Sequence, residues 1–254
     1  MAPRADHDLM DEAVSLARLA GELTLSYFRN RDLRVDEKGD GTPVTDADRG
    51  AEALLRRELA RRHPGDGVLG EEEAEKPSQT GRRWIIDPLD GTRAFTRGIP
   101  LYVNLLALED EHGIAVGVIN IPALGETVYA GRGLGCFSNG TRVGVSHTAE
   151  LAGAYLSASG FEHWDESVLL RVKRAGLRLR TWGDGYGYAL VATGRIDAMV
   201  DPEVALYDVA PMPVILAEAG GRFSDWSGRL DPAGGSGLAT NGAIHEAVLA
   251  LLGG

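Results

Sequence analysis

Trp84-Ile85-Ile86-Asp87-Pro88-Leu89-Asp90-Gly91-Thr92 is the stretch from which the rest of the chain is read. Its three bulky apolar residues predict a buried strand over 83–87. Two carboxylates come at once after them, with a proline between them and Gly-Thr behind. Pro88 and Gly91 are turn formers, so the sequence predicts a bend where the charges appear. An isolated ionised carboxylate is very costly in an apolar setting, so Asp87 and Asp90 call for a cationic neighbour. A hard divalent metal held by carboxylates and a backbone carbonyl is the natural candidate. The plainer alternative is an ordinary polar turn after a core strand.

Upstream, Leu9, Ala13, Leu16, Ala20, Leu23 and Tyr27 recur at helical spacing and predict an amphipathic helix over 8–29. Residues 31–45 are polar and turn-rich, an ordered loop or short hairpin. Asp46 and Asp48 open a second helix, where acidic residues suit the helix dipole and capping is the simple reading. A short strand at 68–70 then leads into Glu71-Glu72-Glu73.

Downstream, 102–108 and 113–119 read as an antiparallel pair, continued by strands at 126–130 and 135–138. Beyond about residue 150 strands and helices alternate: strands at 154–157, 177–182, 196–200, 222–224 and 238–240. Helices are predicted at 165–175, 185–193, 243–252 and, as one long element, 205–219. This rhythm predicts two parts packed as one unit. Residues 1–150 would supply a helical pair and a mainly antiparallel sheet, and 151–254 an α/β half.

The 254 residues suffice for a large core. A net charge of −11 argues against nucleic acid or an anionic membrane as partner. An acidic protein that takes a phosphate ester must draw positive charge from metals or local dipoles. The single cysteine, Cys136, rules out an internal disulfide and suits a reducing cytoplasm. No signal-peptide core stands in residues 1–7, and no apolar run reaches the length of a membrane span.

Four acidic groups fall at element ends: Asp46/Asp48, Glu71–Glu73, Asp87/Asp90 and Asp208. Glu71 and Asp87 each come at the end of a strand and could share one crevice. Asp208 heads an otherwise apolar helix, as a cap or as a ligand. Gly91 and Thr92 could offer N–H groups to an anion if a helix begins there. The six histidines show no zinc-ligand spacing. Gly183-Asp-Gly-Tyr-Gly187 is GxGxG rather than a dinucleotide fingerprint, and Walker and GxSxG motifs are absent.

Asp87-Pro-Leu-Asp-Gly-Thr92 resembles the DPxDGT signature of the inositol-monophosphatase-like, metal-dependent phosphatases. Gly70-Glu71-Glu72 resembles their GEE motif, and Pro43–Asp48 the segment before their second helix. Tyr207-Asp208-Val209-Ala210 resembles their WDxAA motif, with Glu218-Ala-Gly-Gly221 downstream of it. Tyr207 stands where Trp is common, and Pro211 where the last Ala would be. Within the family, the segments 181–188, 191–202 and 220–228 most resemble histidinol-phosphatases.

The resemblance implies a layered αβαβα sandwich of α+β class, a homodimer and two to three Mg²⁺ ions. Glu71, Asp87 and the Leu89 carbonyl would hold one ion, and Asp87, Asp90 and Asp208 a second. A third would sit by Glu71, with Asp48 reaching it only through water. Thr92, paired with Asp48, and Glu71 would activate the attacking water, while Gly91 and Thr92 hold the phosphate. Asp184 and Asp201 would face the alcohol portion of the substrate, and Asp208 would also bind substrate. Carboxylates there suit the ammonium and imidazole of L-histidinol phosphate. They do not exclude inositol 1-phosphate or another sugar or polyol phosphate. A non-catalytic, metal-binding regulatory protein is the alternative from another class. It predicts damage to the acidic motifs, and they are intact.

Overall fold

The structure, a computed structural model, describes residues 2–39 and 41–253; Met1, Asp40 of the early polar loop and Gly254 lie outside the described residues. Strand β4, Arg83–Asp90, runs through the predicted apolar stretch and is buried along most of its length. Beside it lie β3 (Gly67–Gly70), parallel, and β5 (Val103–Asp110), antiparallel. The meander continues through β6 (Gly113–Ile121), β7 (Glu126–Gly131), β8 (Gly135–Ser138) and β9 (Thr141–Arg142). Together they form a seven-stranded sheet in the order β3-β4-β5-β6-β7-β8-β9.

One face of this sheet is covered by α1 (His7–Tyr27) and α2 (Asp46–Arg62). Met10, Leu16 and Ala20 of α1 and Leu55 and Leu59 of α2 pack on Trp84, Ile86, Leu106 and Val118. The alternation along β5 sends Leu106 and Leu108 to this face and Val103 and Leu105 to the other. A small hairpin, β1 (Val35–Glu37) and β2 (Pro43–Thr45), leads into α2.

The opposite face packs on α5 (Asp184–Ala192) and α7 (Met212–Ala219), which a second sheet covers in turn. Its strands are β10 (Tyr155–Ser157), β11 (Arg178–Arg180), β12 (Ala198–Asp201), β13 (Arg222–Ser224) and β14 (Gly237–Thr240). Their order is β11-β10-β12-β14-β13, parallel over the first three and antiparallel beyond. Helices α4 (Glu166–Arg174) and α8 (His245–Leu252) close the outer face through Val168, Val172, Val248 and Leu252. The result is the expected α+β sandwich of helix, sheet, helix, sheet and helix layers.

Two expectations change. The strand does not end where the charges appear: β4 continues through Asp90, and the ladder to β5 slips between Asp87 and Asp90. The long helix at 205–219 is two elements, α6 (Leu206–Val209) and α7, with Pro211 at the α7 cap. Proline lacks the N–H that a continuous helix needs, so the apolar periodicity runs across the joint but the hydrogen-bond ladder does not.

Candidate active site

The mouth of the site lies where β3 ends and β4 goes on. Gly70 is the last paired residue of β3, opposite Ile86. The chain then turns through Glu71–Glu73, and that turn is tied from behind. Glu52 on α2, fully buried, accepts from the backbone N–H of Glu72 (2.8 Å) and Glu73 (3.0 Å) and from Arg56 Nε (2.8 Å). Lys38 Nζ meets the carboxylates of Glu71 and Glu72, 2.6 Å from each.

Asp87 and Asp90 bracket the slip in β4. Gly91 comes next at φ +84°, a left-handed conformation open to glycine, and caps the one-turn helix α3 (Thr92–Thr96). Thr92 Oγ1 donates within reach of both Asp48 Oδ1 and the Leu89 carbonyl, each at 3.0 Å. Asp48 has two duties. Its Oδ2 accepts from the Thr45 N–H (2.8 Å) and hydroxyl, closing the capping box of α2, while Oδ1 faces Thr92. Capping and site membership are therefore not alternatives here.

Asp208 enters from α6, where its Oδ2 accepts from the Ala205 N–H (2.8 Å). Asp184 enters from the head of α5 at φ +53°, its N–H donating to Ser159 Oγ (2.8 Å). A Cβ on Gly91 would come 3.0 Å from Asp184 Oδ2, and one on Gly185 would come 2.9 Å from Asp90 Oδ2. The two halves of the chain meet at this point.

The group is electrostatically coupled. Burial, then the charges of Glu71, Asp90 and Asp208, push the Asp87 carboxyl well above its usual range. Burial and the charges of Asp184, Asp208 and Glu71 do the same to Asp90. Burial lifts Asp208 to about 7, aided by Glu71, Asp184 and Asp201, and burial with Asp201 lifts Asp184 to about 6. Asp48 is raised by its burial. Several buried carboxylates thus repel one another, with the Lys38 ammonium at one edge.

The donors are all hard oxygens, the chemistry that Mg²⁺ takes. Among the described residues no three of them converge as a ready-made ligand set. Each is turned onto a protein donor instead: Glu71 onto Lys38, Asp87 onto the Leu89 N–H, Asp90 onto the Gly185 N–H and Asp208 onto the Ala205 N–H. The uncompensated charge is what a divalent cation would offset, and the residues fit the ion.

Beside the cluster opens a cavity of about 500 Å³, bordered by Asp184, Ser159, Arg93, Glu162, His163 and Glu203. Asp201 borders it too, but its oxygens are engaged by the Ser159 N–H (2.9 Å) and the Tyr188 hydroxyl (3.0 Å). Asp201 therefore orders the cavity wall, and Asp184 is the carboxylate at the junction of cavity and cluster.

A family model described as the inositol monophosphatase family matches residues 6–253. The chain belongs to that family. It is 44% identical to a histidinol-phosphatase of Mycobacterium tuberculosis, over 97% of this chain and 98% of that protein. It is 46% identical to a histidinol-phosphatase of Chlorobaculum parvum, over 95% of each. Among solved structures, the extragenic suppressor protein suhB from Bartonella henselae superposes with a TM-score of 0.90 at 31% identity, covering 97% of this chain and 98% of that one. The four ordered acidic motifs thus lie in one family frame.

Motif reading missed the residues that act from behind. Glu52 sits mid-helix, with nothing in its neighbours to single it out. Lys38 stands in a stretch of mixed charge, and only the paired glutamates of Gly70-Glu71-Glu72 hint that a cation must reach them. Ser159 and Tyr188 carry no local signal at all.

Proposed function

We propose that this protein is a Mg²⁺-dependent phosphomonoesterase whose substrate is L-histidinol phosphate, yielding L-histidinol and phosphate in histidine biosynthesis. The observation that carries the reading is the charge coupling of Glu71, Asp87, Asp90 and Asp208, which come from three separate stretches, beside a carboxylate-bordered cavity. Family membership and the similarity to two histidinol-phosphatases support the same conclusion. Glu71, Asp87, the Leu89 carbonyl, Asp90 and Asp208 are the residues that would hold two to three Mg²⁺ ions. Bound there, the metal supplies positive charge for the phosphate dianion and the leaving alkoxide, and acidifies water.

The protein's own groups do the rest. Thr92 Oγ1, between Asp48 and the Leu89 carbonyl, can pass a proton from the attacking water to Asp48, whose raised affinity for protons suits it to receive one. Glu71 would help to orient that water. The N–H groups of Gly91 and Thr92, at the head of α3, would hold phosphate oxygens. Asp184 would meet the ammonium or imidazole of the alcohol portion, with Asp201 fixing the wall behind it through Ser159. As for setting, no helix among the described residues is long and apolar enough to cross a membrane. A homodimer in the cytoplasm is part of the proposal.

The test is phosphate release with Mg²⁺ from L-histidinol phosphate, inositol 1-phosphate and fructose 1,6-bisphosphate, with Asp208→Asn as control. The expected kcat/KM for histidinol phosphate leads by a hundredfold, about 2.7 kcal/mol of transition-state discrimination. Asp208→Asn should be inactive on all three. Level rates would keep the phosphatase and remove the role given to Asp184.

A further inference from the structure

The slip in β4 is a β-bulge with an unusual support. Asp87 pairs with Leu105 and Asp90 with Val103, so Pro88 and Leu89 together oppose Asn104 alone. Proline at a bulge has no N–H to lose, but its carbonyl leaves the ladder and, being buried, needs a donor. Asn104 provides it: Nδ2 donates to the Pro88 carbonyl at 2.7 Å. Asn104 is itself held. Its Oδ1 accepts from Asn120 Nδ2 (2.9 Å), and Asn120 Oδ1 accepts from the Thr127 hydroxyl (3.0 Å).

The three residues form a cross-strand row, Asn104 opposite Asn120 on β6 and Asn120 opposite Thr127 on β7. All are nearly inaccessible to solvent. The row ends at Arg18 of α1, whose Nε donates to Thr127 Oγ1 at 3.2 Å. Helix α1 crosses it so closely that a Cβ on Gly21 would lie 2.3 Å from Asn120 Nδ2 and 3.0 Å from Asn104 Oδ1. A polar row inside a sheet face otherwise filled with Leu, Ile and Val adds little to the apolar core. An apolar row there would leave the Pro88 carbonyl unpaired.

We infer that Asn104, backed by Asn120 and Thr127, is a positioning residue that sets the bulge so that the Leu89 carbonyl and the carboxylates of Asp87 and Asp90 face the cation site. The inference rests on the metal reading proposed above. With the Pro88 carbonyl held by Asn104, the next carbonyl, that of Leu89, is left to Thr92, whose Oγ1 donates to it at 3.0 Å. Asn104 touches neither substrate nor cation; it acts through the peptide between Pro88 and Leu89.

The experiment is titration calorimetry of Mg²⁺ into the whole protein, with thermal midpoints recorded alongside, for wild type, Asn104→Leu, Gly21→Ala and Val172→Ala. Leu fills the Asn104 site without a donor, and the Gly21 change disturbs the row from the helix side. Val172 lies in the outer core between α4 and the second sheet and serves as a purely structural loss. Asn104→Leu is expected to weaken Mg²⁺ binding at least fivefold, and Gly21→Ala to weaken it by less. Val172→Ala should lower the midpoint with Mg²⁺ affinity unchanged. Wild-type affinity in both Asn104→Leu and Gly21→Ala overturns the inference, as does an equal loss in Val172→Ala. Should Asn104→Leu not fold, Gly21→Ala against Val172→Ala decides alone. If the wild-type protein itself binds no Mg²⁺, the metal reading fails first, which is a distinct result.

Discussion

The β3–β4 pair carries a buried carboxylate at each end, and the two are built on opposite rules. Asp66, just before β3, is 1% exposed and surrounded by donors. Thr80 Oγ1 lies at 2.6 Å, Trp84 Nε1 at 3.1 Å and Arg82 Nη2 at 3.2 Å. Asp87, three residues beyond Trp84 on the same strand, is equally buried, yet its neighbours are Glu71, Asp90 and Asp208. A carboxylate that only supports the fold brings its partners with it. One that leaves its charge unmatched lowers the stability of the empty protein and stores affinity for a cation. The difference between the two ends, more than any motif, separates structure from function here.

Neutralising the unmatched end should have the largest effect, and an opposite one on stability. Asp87→Asn removes the negative charge that the cluster repels and one of the carboxylates that would hold the cation. Turnover of phosphate ester is expected to fall at least a thousandfold, roughly 4 kcal/mol of transition-state stabilisation. The thermal midpoint of the metal-free protein should rise, because one repulsive charge has gone. A variant that loses activity and metal-free stability together would mean that Asp87 is a fold residue like Asp66.

The matched end should behave in reverse. Asp66→Ala strands the fully buried Trp84 indole N–H, while the exposed Thr80 and the partly exposed Arg82 regain water. The expected loss is roughly 3 kcal/mol of stability, the scale of breaking a buried charged hydrogen-bond set. The kcat of the folded fraction at 25 °C should stay within twofold of wild type. Denaturant midpoints and kcat on the same preparation check both halves of the statement.

The contrast also marks what was legible in the chain. Short-range patterns gave the strands and helices, because burial imposes its period locally: the Leu and Ala series of α1 and the Trp84–Ile86 run are examples. The acidic motifs were legible because they sit at element ends, where chain direction alone puts them near one another. What stayed hidden depends on pairings between distant segments. Asn104 reads as an oddity in an apolar strand until the bulge opposite it is known. Asp201 reads like Asp184 until Ser159 and Tyr188 are seen to engage it. The joint at Pro211 was visible as a residue, but the apolar periodicity on either side argued for one helix.

The last consequence concerns pH, and it sharpens the comparison without altering the fold. Burial and neighbouring charge hold Asp208 up to about 7 and Asp184 up to about 6, against about 3.8 in an unfolded chain. Between those limits the folded, metal-free protein keeps protons that the unfolded chain has released. The stability linked to that uptake is therefore complete below about pH 4 and lost as pH rises through 6 and 7. With metal removed by chelator, stability measured by denaturant should be lower at pH 8 than at pH 5 by roughly 4 kcal/mol. Excess Mg²⁺ should flatten the slope, since the cation replaces the protons as the source of positive charge. Asp208→Asn should flatten it in part with no metal present, and Asp66→Ala should leave it as steep as in wild type. A slope unchanged by Asp208→Asn would place the proton uptake elsewhere and take the stored charge away from this end of the strand.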